Sequence, residues 1–279
     1  MILVDLNQVL LAGLMAQIAN QKGKLDEHLI RHMVLNIIRN HVKNFKAEYG
    51  EVILCCDNRK YWRKEYFPFY KANRKKNRDK SDLDWHLIFD MLAKFKQELK
   101  DNFPYKVLDV EGAEADDIIG TLVPRAKADE KVLILSSDGD FLQLQSYGNV
   151  KQYNPSQKKY IVSSNPIMDL KEKIIRGDKG DGIPNVLSSS DCFVRDLRQT
   201  PITQKVLDKL MHESYLEQSD TIKANFIRNS TLIDLSFIPS EIKEKIINTY
   251  EETKPVKGKL LNYFIEHKLK NLMEVIEEF

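Results

Sequence analysis

Cysteine is scarce in this chain of 279 residues: Cys55, Cys56 and Cys192 are all it has, and no two of them form a CxxC pair. An odd count without that spacing excludes a disulfide framework and a cysteine-held zinc site, and it predicts reduced, packed thiols in the cytoplasm. Long apolar runs are also missing, and none reaches the length of a membrane span. The run at 9–19 (VLLAGLMAQIA) has the look of a signal-peptide core. However, no Lys or Arg precedes it, and Asp5, Asn7 and Gln8 stand where a charged start belongs. It reads as a buried helix. Histidine occurs six times, at 28, 32, 41, 86, 212 and 267, never in a strand-end motif. That excludes Ser-His-Asp and Cys-His nucleophilic sets and leaves the histidines to surface or packing roles. There is no internal repeat and no low-complexity segment.

A strong net charge is absent as well, the formal value being +2. The charge is nevertheless unevenly placed. Segment 59–80 carries ten bases (Arg59, Lys60, Arg63, Lys64, Lys71, Arg74, Lys75, Lys76, Arg78, Lys80) against Glu65 and Asp79. Its local charge is +8, which leaves −6 on the rest of the chain. Six aromatics are interleaved with these bases: Tyr61, Trp62, Tyr66, Phe67, Phe69 and Tyr70. A solvated charged loop would account for the bases alone. A basic segment beside clusters of acid instead suggests a polyanionic partner and an acidic, metal-loaded centre. No clean periodicity survives over 71–81, so mobile structure is expected there.

Short β-forming runs recur, and they end in acids. Ile2-Leu3-Val4 leads to Asp5, the run 52–56 to Asp57, the run 105–110 to the acids of 111–117, and the run 131–135 to Asp138-Gly139-Asp140. Helical spacing fills the intervals at 28–45, at 85–99 behind a Ser81-Asp82 cap and ahead of Pro104, and at 118–127. Further strand-like runs lie near 150–153 and 159–162. Strands alternating with helices predict an α/β fold with a parallel-type central sheet, whose ligand site lies beyond the carboxyl ends of the strands. Folding would then gather the acids at one edge. Each taken singly has an ordinary explanation, as a turn aspartate or as an acid in a first helical turn. Gathered together, they repel one another and resist burial, a cost that a divalent cation such as Mg²⁺ or Mn²⁺ offsets.

The composition shifts near residue 169, which predicts an α/β core over 1–165 and a helical domain over 166–279. Helical spacing at 168–175 is followed by a glycine turn over 177–186 that also carries Asp178 and Asp181. A helix, a glycine-rich turn and a second helix read as a helix-hairpin-helix type element, whose backbone N–H groups approach a phosphate backbone. Residues 188–200 read as an irregular connection and 202–279 as mostly helical.

The order Asp5, Asp57, Glu114-Ala-Asp116-Asp117, Ser137-Asp138-Gly139-Asp140 and Gly177-Asp178-Lys-Gly-Asp181 resembles the flap endonuclease/5′-nuclease superfamily. Within it, the chain is similar to the ribonucleases H of T-even-type bacteriophages over nearly its whole length. Tyr61-Trp62-Arg63, Tyr70-Lys71-x-Asn73-Arg74 and the terminal Glu278-Phe279 carry that likeness. The resemblance implies a Mg²⁺-dependent 5′-3′ exonuclease and flap endonuclease with ribonuclease H activity. It would use two ions, with Mn²⁺ able to substitute. Asp5, Asp57, Asp116 and Asp138 would surround the first metal, with Glu114 nearby. Asp140, Asp178 and Asp181 would surround the second, partly through water.

In the same resemblance the basic segment forms an arch over the site, and the turn 177–186 grips duplex. Arg63, Tyr70, Lys75, Lys76, Gly177, Gly180, Gly182 and Ile183 are the expected DNA-binding residues, with Tyr70 stacking on a base. Lys71 and Arg74 are the expected catalytic cations. DNA and RNA–DNA hybrid follow as partners, with a single-strand-binding protein or sliding clamp at a replication fork. The chain is expected to act as a monomer away from membranes. That group carries a short extension before the first strand. This sequence begins at the strand, so the resemblance does not carry over a partner contact made by such an extension.

Other readings fit less well. A phosphatase of the haloacid dehalogenase type needs Asp-x-Asp after the first strand, and here Asp5-Leu6-Asn7 lacks the second aspartate. A single-domain ribonuclease of the PIN type would not carry the helical C-terminal part. A binding module without catalysis would be favoured by loss of core acids, and none is lost.

Overall fold

The computed structural model describes residues 1–18, 26–79 and 83–279, with side-chain surroundings for all of these except 16–18 and 75–77. Six strands form one sheet: β1 (Ile2–Asp5), β2 (Val52–Cys56), β3 (Lys106–Asp109), β4 (Val132–Leu135), β5 (Val150–Asn154) and β6 (Lys159–Ile161). Their order is β3-β2-β1-β4-β5-β6, parallel except for the antiparallel pair β5–β6 at one edge. β1, β2 and β4 are buried along their whole length, as expected for apolar runs covered by helices on both faces.

Alternation along the strands sorts the core into two layers. Ile2, Val4, Leu54, Cys56, Leu133 and Leu135 face α1 (Leu6–Ile18), α2 (Glu27–Tyr49) and, later in the chain, the helix Trp85–Asn102. Leu3, Ile53, Cys55, Leu108, Val132 and Ile134 face the helix Ala115–Leu122. The basic segment contains α3 (Trp62–Tyr66) and α4 (Ala72–Arg78). The mobile stretch expected over 71–81 is therefore a helix for most of its length, entered through Lys71 at φ 55°. Trp85–Asn102 is α5, and its cap is Asp84, which accepts from Leu87 N at 3.0 Å. The expected Ser81-Asp82 cap and Lys80 lie outside the described residues, as do the side chains of Lys75 and Lys76. Ala115–Leu122 is α6, cut short of residue 127 by a 3-10 turn containing Pro124. All three cysteines are buried free thiols.

Beyond residue 165 come α7 (Pro166–Arg176), α8 (Gln204–His212), α9 (Asp220–Ile233), α10 (Ser240–Glu252), α11 (Leu260–Glu266) and α12 (Lys270–Met273). Residues 166–233 build two small cores, one of them shared with Phe67 and Tyr70 of the basic segment. α10 instead packs on one face of the sheet through Ile242 and Ile246, and α11, α12 and Phe279 pack on the other beside Phe103. The irregular connection expected over 188–200 is present. Residues 187–203 are turns and coil, and α8 begins only at Gln204. Among the described residues no helix is long and apolar enough to cross a membrane.

The glycine turn closes on itself. Asp178 N donates to Ile183 O (2.8 Å) and Ile183 N to Asp178 O (2.7 Å). Gly177 N donates to Lys173 O and Gly182 N to Lys179 O. Gly177 and Gly182 adopt φ values of 69° and 72°, where a side chain is strained. A Cβ at Gly177 would also stand 2.6 Å from the Pro184 carbonyl, and one at Gly182 2.9 Å from Phe69 O. The expected role of Gly177, Gly182 and Ile183 in presenting N–H groups to a phosphate backbone is corrected: those groups are spent inside the turn, and Ile183 is core. Gly180 alone of the set is exposed. Gly177→Ala is expected to lower stability by about 1–3 kcal/mol in urea unfolding. An unchanged midpoint would refute the packing role.

Candidate active site

Because β4 returns to the far side of β1, the carboxyl ends of β1 and β4 flank the point where the strand order reverses, the usual place for a ligand. Asp5 is the last residue of β1 and is 5% exposed. It accepts from Ser136 Oγ (2.9 Å) and from Gln8 N (3.3 Å). Asp57 follows β2 and accepts from Ala115 N (2.9 Å) and Asn7 Nδ2 (3.0 Å). Asp116 sits in the first turn of α6. Asp138 follows β4 and caps the 3-10 helix Gly139–Ser146 by accepting from Asp140 N at 2.9 Å. Its loop is fixed from β5, where Gln152 Nε2 donates to Asp138 O (2.6 Å) and Ser136 O (3.1 Å).

The hydrogen bonds made to Asp5, Asp57 and Asp138 come from neutral donors. Burial, then the charges of Asp57 and Asp138, push the Asp5 carboxyl up to about 7. Burial, then Asp138 and Asp5, raise Asp116 well above the carboxylate range. Asp5 and Asp116 thus stand close enough to the other acids for their ionisation to be opposed, and among the described residues none of the four makes an ion pair, Lys71 offsetting Asp116 only in part. Oxygen-rich, anionic and desolvated, the set fits a hard divalent cation.

The second set differs. Burial pushes Asp140 up to about 7 despite an ion pair with Lys173. Its buried Oδ1 accepts no aligned hydrogen bond among the described residues. Lys173 Nζ also lies 3.1 Å from Asp178 Oδ2. Asp181 receives Tyr70 Oη (2.9 Å), an ion pair with Arg74, and Lys71 Nζ at 3.7 Å. Burial opposes its ionisation, but Lys71 and Arg74 hold the Asp181 carboxyl below the usual range. Glu114 is met by Lys71 Nζ (2.6 Å), Tyr70 Oη (3.1 Å) and Arg63 (3.2 Å). Among the described residues, no three acids stand as a preformed ligand shell. Protein cations reach in among the second set instead.

Two expected DNA-binding residues are corrected here. Tyr70 is 2% exposed, its ring packed edge-on against Tyr61 and its hydroxyl spent on Glu114 and Asp181, so no ring face is open to a base. Arg63 is also 2% exposed. It pairs with Asp117 (2.7 Å) and Glu114 and donates to Leu232 O (2.9 Å), so it braces α3 against α6 and α9. Asp117 and Glu114 further form a capping box on α6, which leaves Asp116 as that stretch's acid without a structural duty. Lys173 was not expected. A lysine on an amphipathic helix reads as solvated, and nothing in its spacing to Asp140 signals the pairing.

An acid cluster at the switch point of a parallel sheet, beside a basic helical root and a glycine turn, defines a nuclease of the 5′-nuclease type. The chain belongs to that family. Residues 1–174 match the family model described as 5′-3′ exonuclease, N-terminal resolvase-like domain, and residues 164–279 match T4 RNase H, C terminal. It is 36% identical over 290 residues to the ribonuclease H of Enterobacteria phage T4, covering 99% of this chain and 95% of that one. It is 32% identical over 164 residues to a 5′-3′ exonuclease of Buchnera aphidicola, covering 55% and 54%. In fold it is similar to a phage T5 5′-exonuclease bound to zinc, with TM-score 0.60, 17% identity and coverage of 91% and 99%. It is likewise similar to a T5 flap endonuclease complexed with DNA and metal ions, with TM-score 0.59, 17% identity and coverage of 90% and 99%.

The raised Asp5 carboxyl has a measurable consequence. It titrates near 3.8 when unfolded and about 7 when folded, so the folded state binds its proton more tightly. Without divalent cation, stability should fall as pH rises from about 4 to about 7. Asp5→Asn removes that cost. In chelator at pH 8 it should be more stable than the parent by about 1–3 kcal/mol, with little difference at pH 4. A difference that did not change with pH would refute the repulsion argument.

Proposed function

We propose that the chain is a two-cation, Mg²⁺-dependent 5′-3′ exonuclease and flap endonuclease with ribonuclease H activity. It would hydrolyse phosphodiesters near the 5′ ends of RNA–DNA hybrids and of flapped or nicked duplex DNA. The observation that carries this reading is the convergence of Asp5, Asp57, Asp116 and Asp138 from four separate β–α junctions, with only neutral hydrogen-bond donors on three of them. These four would hold one cation and Asp140, Asp178 and Asp181 the other, with Mn²⁺ able to substitute. Two divalent cations supply an activated water and offset the charge that develops on the leaving oxygen.

The chain's own cations complete the arrangement. Lys71 is 13% exposed at its side chain, at the lip of the acid cluster. Burial opposes its charge, but Asp181 and Glu114 raise it above the ordinary lysine value, so it stays protonated at any working pH. Arg74 is about half exposed beside it. Both can neutralise charge developing on the scissile phosphate. Lys179 and Gly180, exposed on the turn, offer a contact to duplex phosphates, which would be sequence-tolerant and salt-sensitive. The relatives support the substrate class, since one is named ribonuclease H and a fold neighbour is a flap endonuclease with DNA. The role in view is RNA primer removal during phage replication in the host cytoplasm. The chain would act as a monomer, beside a single-strand-binding protein or sliding clamp.

The test is to incubate the purified protein and Mg²⁺ with 5′-labelled and 3′-labelled nicked, flapped and hybrid duplexes. Short products released from 5′ ends are expected, and products trimmed from 3′ ends would overturn the polarity. Asp138→Asn should abolish cleavage while leaving substrate affinity intact or tighter, because it removes a ligand and a charge that repels phosphate. Wild-type turnover of that variant would sink the metal assignment. Lys71→Ala or Arg74→Ala should slow single-turnover cleavage at saturating enzyme by about 10²-fold. A loss confined to affinity would leave both outside the chemistry.

A further inference from the structure

The two acid sets are treated differently by the fold. Among the described residues, Asp5, Asp57 and Asp138 receive hydrogen bonds from the side chains of Ser136 and Asn7 and from the backbone amides of Gln8, Ala115 and Asp140. Asp140 and Asp178 share an ammonium group, that of Lys173. α7 places it there: the helix ends at Gly177, whose N–H caps Lys173 O at 2.8 Å, and the chain turns back so that Asp178 lies beneath the lysine side chain. The 3-10 helix that carries Asp140 packs against α7. Three-quarters of the Lys173 side chain is removed from solvent, so the pairing is weakly screened.

We propose that Lys173 is a positioning residue that acts as a built-in countercharge of the second set and weakens that set's hold on a divalent cation until substrate arrives. This rests on the two-cation reading above. A cation entering between Asp140 and Asp178 meets an ammonium group already paired with both, so it must displace that group or sit beside it against like charge. In the first set, among the described residues, no ammonium group is ion-paired with an acid, and Lys71 offsets Asp116 only from a distance. A substrate phosphate over the site gives the displaced ammonium group a new partner. Phosphate and second cation therefore bind with mutual favour, and by linkage each tightens the other by the same factor.

The test is titration calorimetry of the full chain with Mg²⁺ alone, on the parent and on Lys173→Gln, Lys173→Met, Lys173→Arg and Asp5→Asn. The parent should show one tight and one weak event. Lys173→Gln and Lys173→Met should tighten the weak event by about tenfold or more and leave the tight one unchanged, while Lys173→Arg stays near the parent. In chelator both neutral variants should unfold at a lower temperature, and Mg²⁺ should restore more of the loss than it adds to the parent. A lysine that merely braced α7 would lower the temperature without altering the cation dependence. If Asp5→Asn removes the tight event but neither neutral variant changes the weak one, the role given to Lys173 is wrong and the two-cation reading stands. If Asp5→Asn leaves both events intact, the two-cation reading itself fails.

Discussion

Repulsion among Asp5, Asp57, Asp116 and Asp138 is the constraint on which this site is built. Four carboxyl groups are driven to one edge because the apolar strands ahead of three of them must be buried, and the acids follow as the next residues. The packing of Ile2, Leu3 and Val4 against both helical layers leaves no freedom to move Asp5 outward. The fold thus stores an electrostatic cost that the hydrophobic core offsets, a cost seen in the raised carboxyls of Asp5 and Asp116. Neutral donors from Ser136, Asn7 and Ala115 fix the oxygens in place without cancelling their charge. That combination of fixed geometry and unmet charge is what the proposed cation site would draw on.

The second constraint is mechanical. The root of the basic segment and the glycine turn are one assembly, joined by Lys71 N to Asp181 O (2.7 Å), Asn73 Nδ2 to Lys179 O (2.9 Å), and Tyr70 Oη to both Asp181 and Glu114. Gly182 is needed because the Phe69 carbonyl comes too close for a side chain. The root of the basic segment therefore cannot be placed independently of the glycine turn. A shift in either is felt at Asp181, which sits between them.

The parts of this arrangement that could be read in the sequence are those set by short-range pattern. An apolar run of four or five residues followed by an acid marks a buried strand and its carboxyl end, and this located Asp5, Asp57 and Asp138 without a partner in view. The parts that could not be read are pairings across the fold. Arg63 lies in a run of bases and looks solvated, yet its partners are Asp117 and Glu114, which come some fifty residues later. Tyr70 is aromatic and flanked by cations, a pattern shared by a base-stacking residue and by a buried hydroxyl that bridges two acids. Gly177 and Gly182 were legible as turn residues, but not as residues that consume their own N–H groups. The irregular connection over 188–200 was legible, but not the side chains that tie it down: Asn185 Nδ2 donates to Thr200 O, and Asn225 Nδ2 to Val186 O and Ser188 O. α4 was missed. Its sequence is polar all round and carries no periodic signal, and its entry is set by contacts of Lys71 and Asn73 with the turn.

Those pairings also revise what the basic segment can offer a polyanion. Composition credits 59–80 with a local charge of +8, as though every base faced solvent. In the fold Arg63, Lys71 and Arg74 are each paired with acids of the site, and Lys60 with Glu111. Their charge is largely committed to offsetting Glu114, Asp117 and Asp181. What reaches outward is a smaller field with acids close beneath it, and a phosphate backbone entering the site meets both signs within a few residues. Bringing a phosphate close to the carboxylates then requires that cations change partners, from protein acid to substrate. Lys71 and Arg74 stand where that exchange would be shortest, because Asp181 holds them at the rim and not at the surface. The same bonds that fix the root of the segment in the free protein are those that the proposed substrate would compete for, so binding and rearrangement of the acid cluster would be a single event in energetic terms.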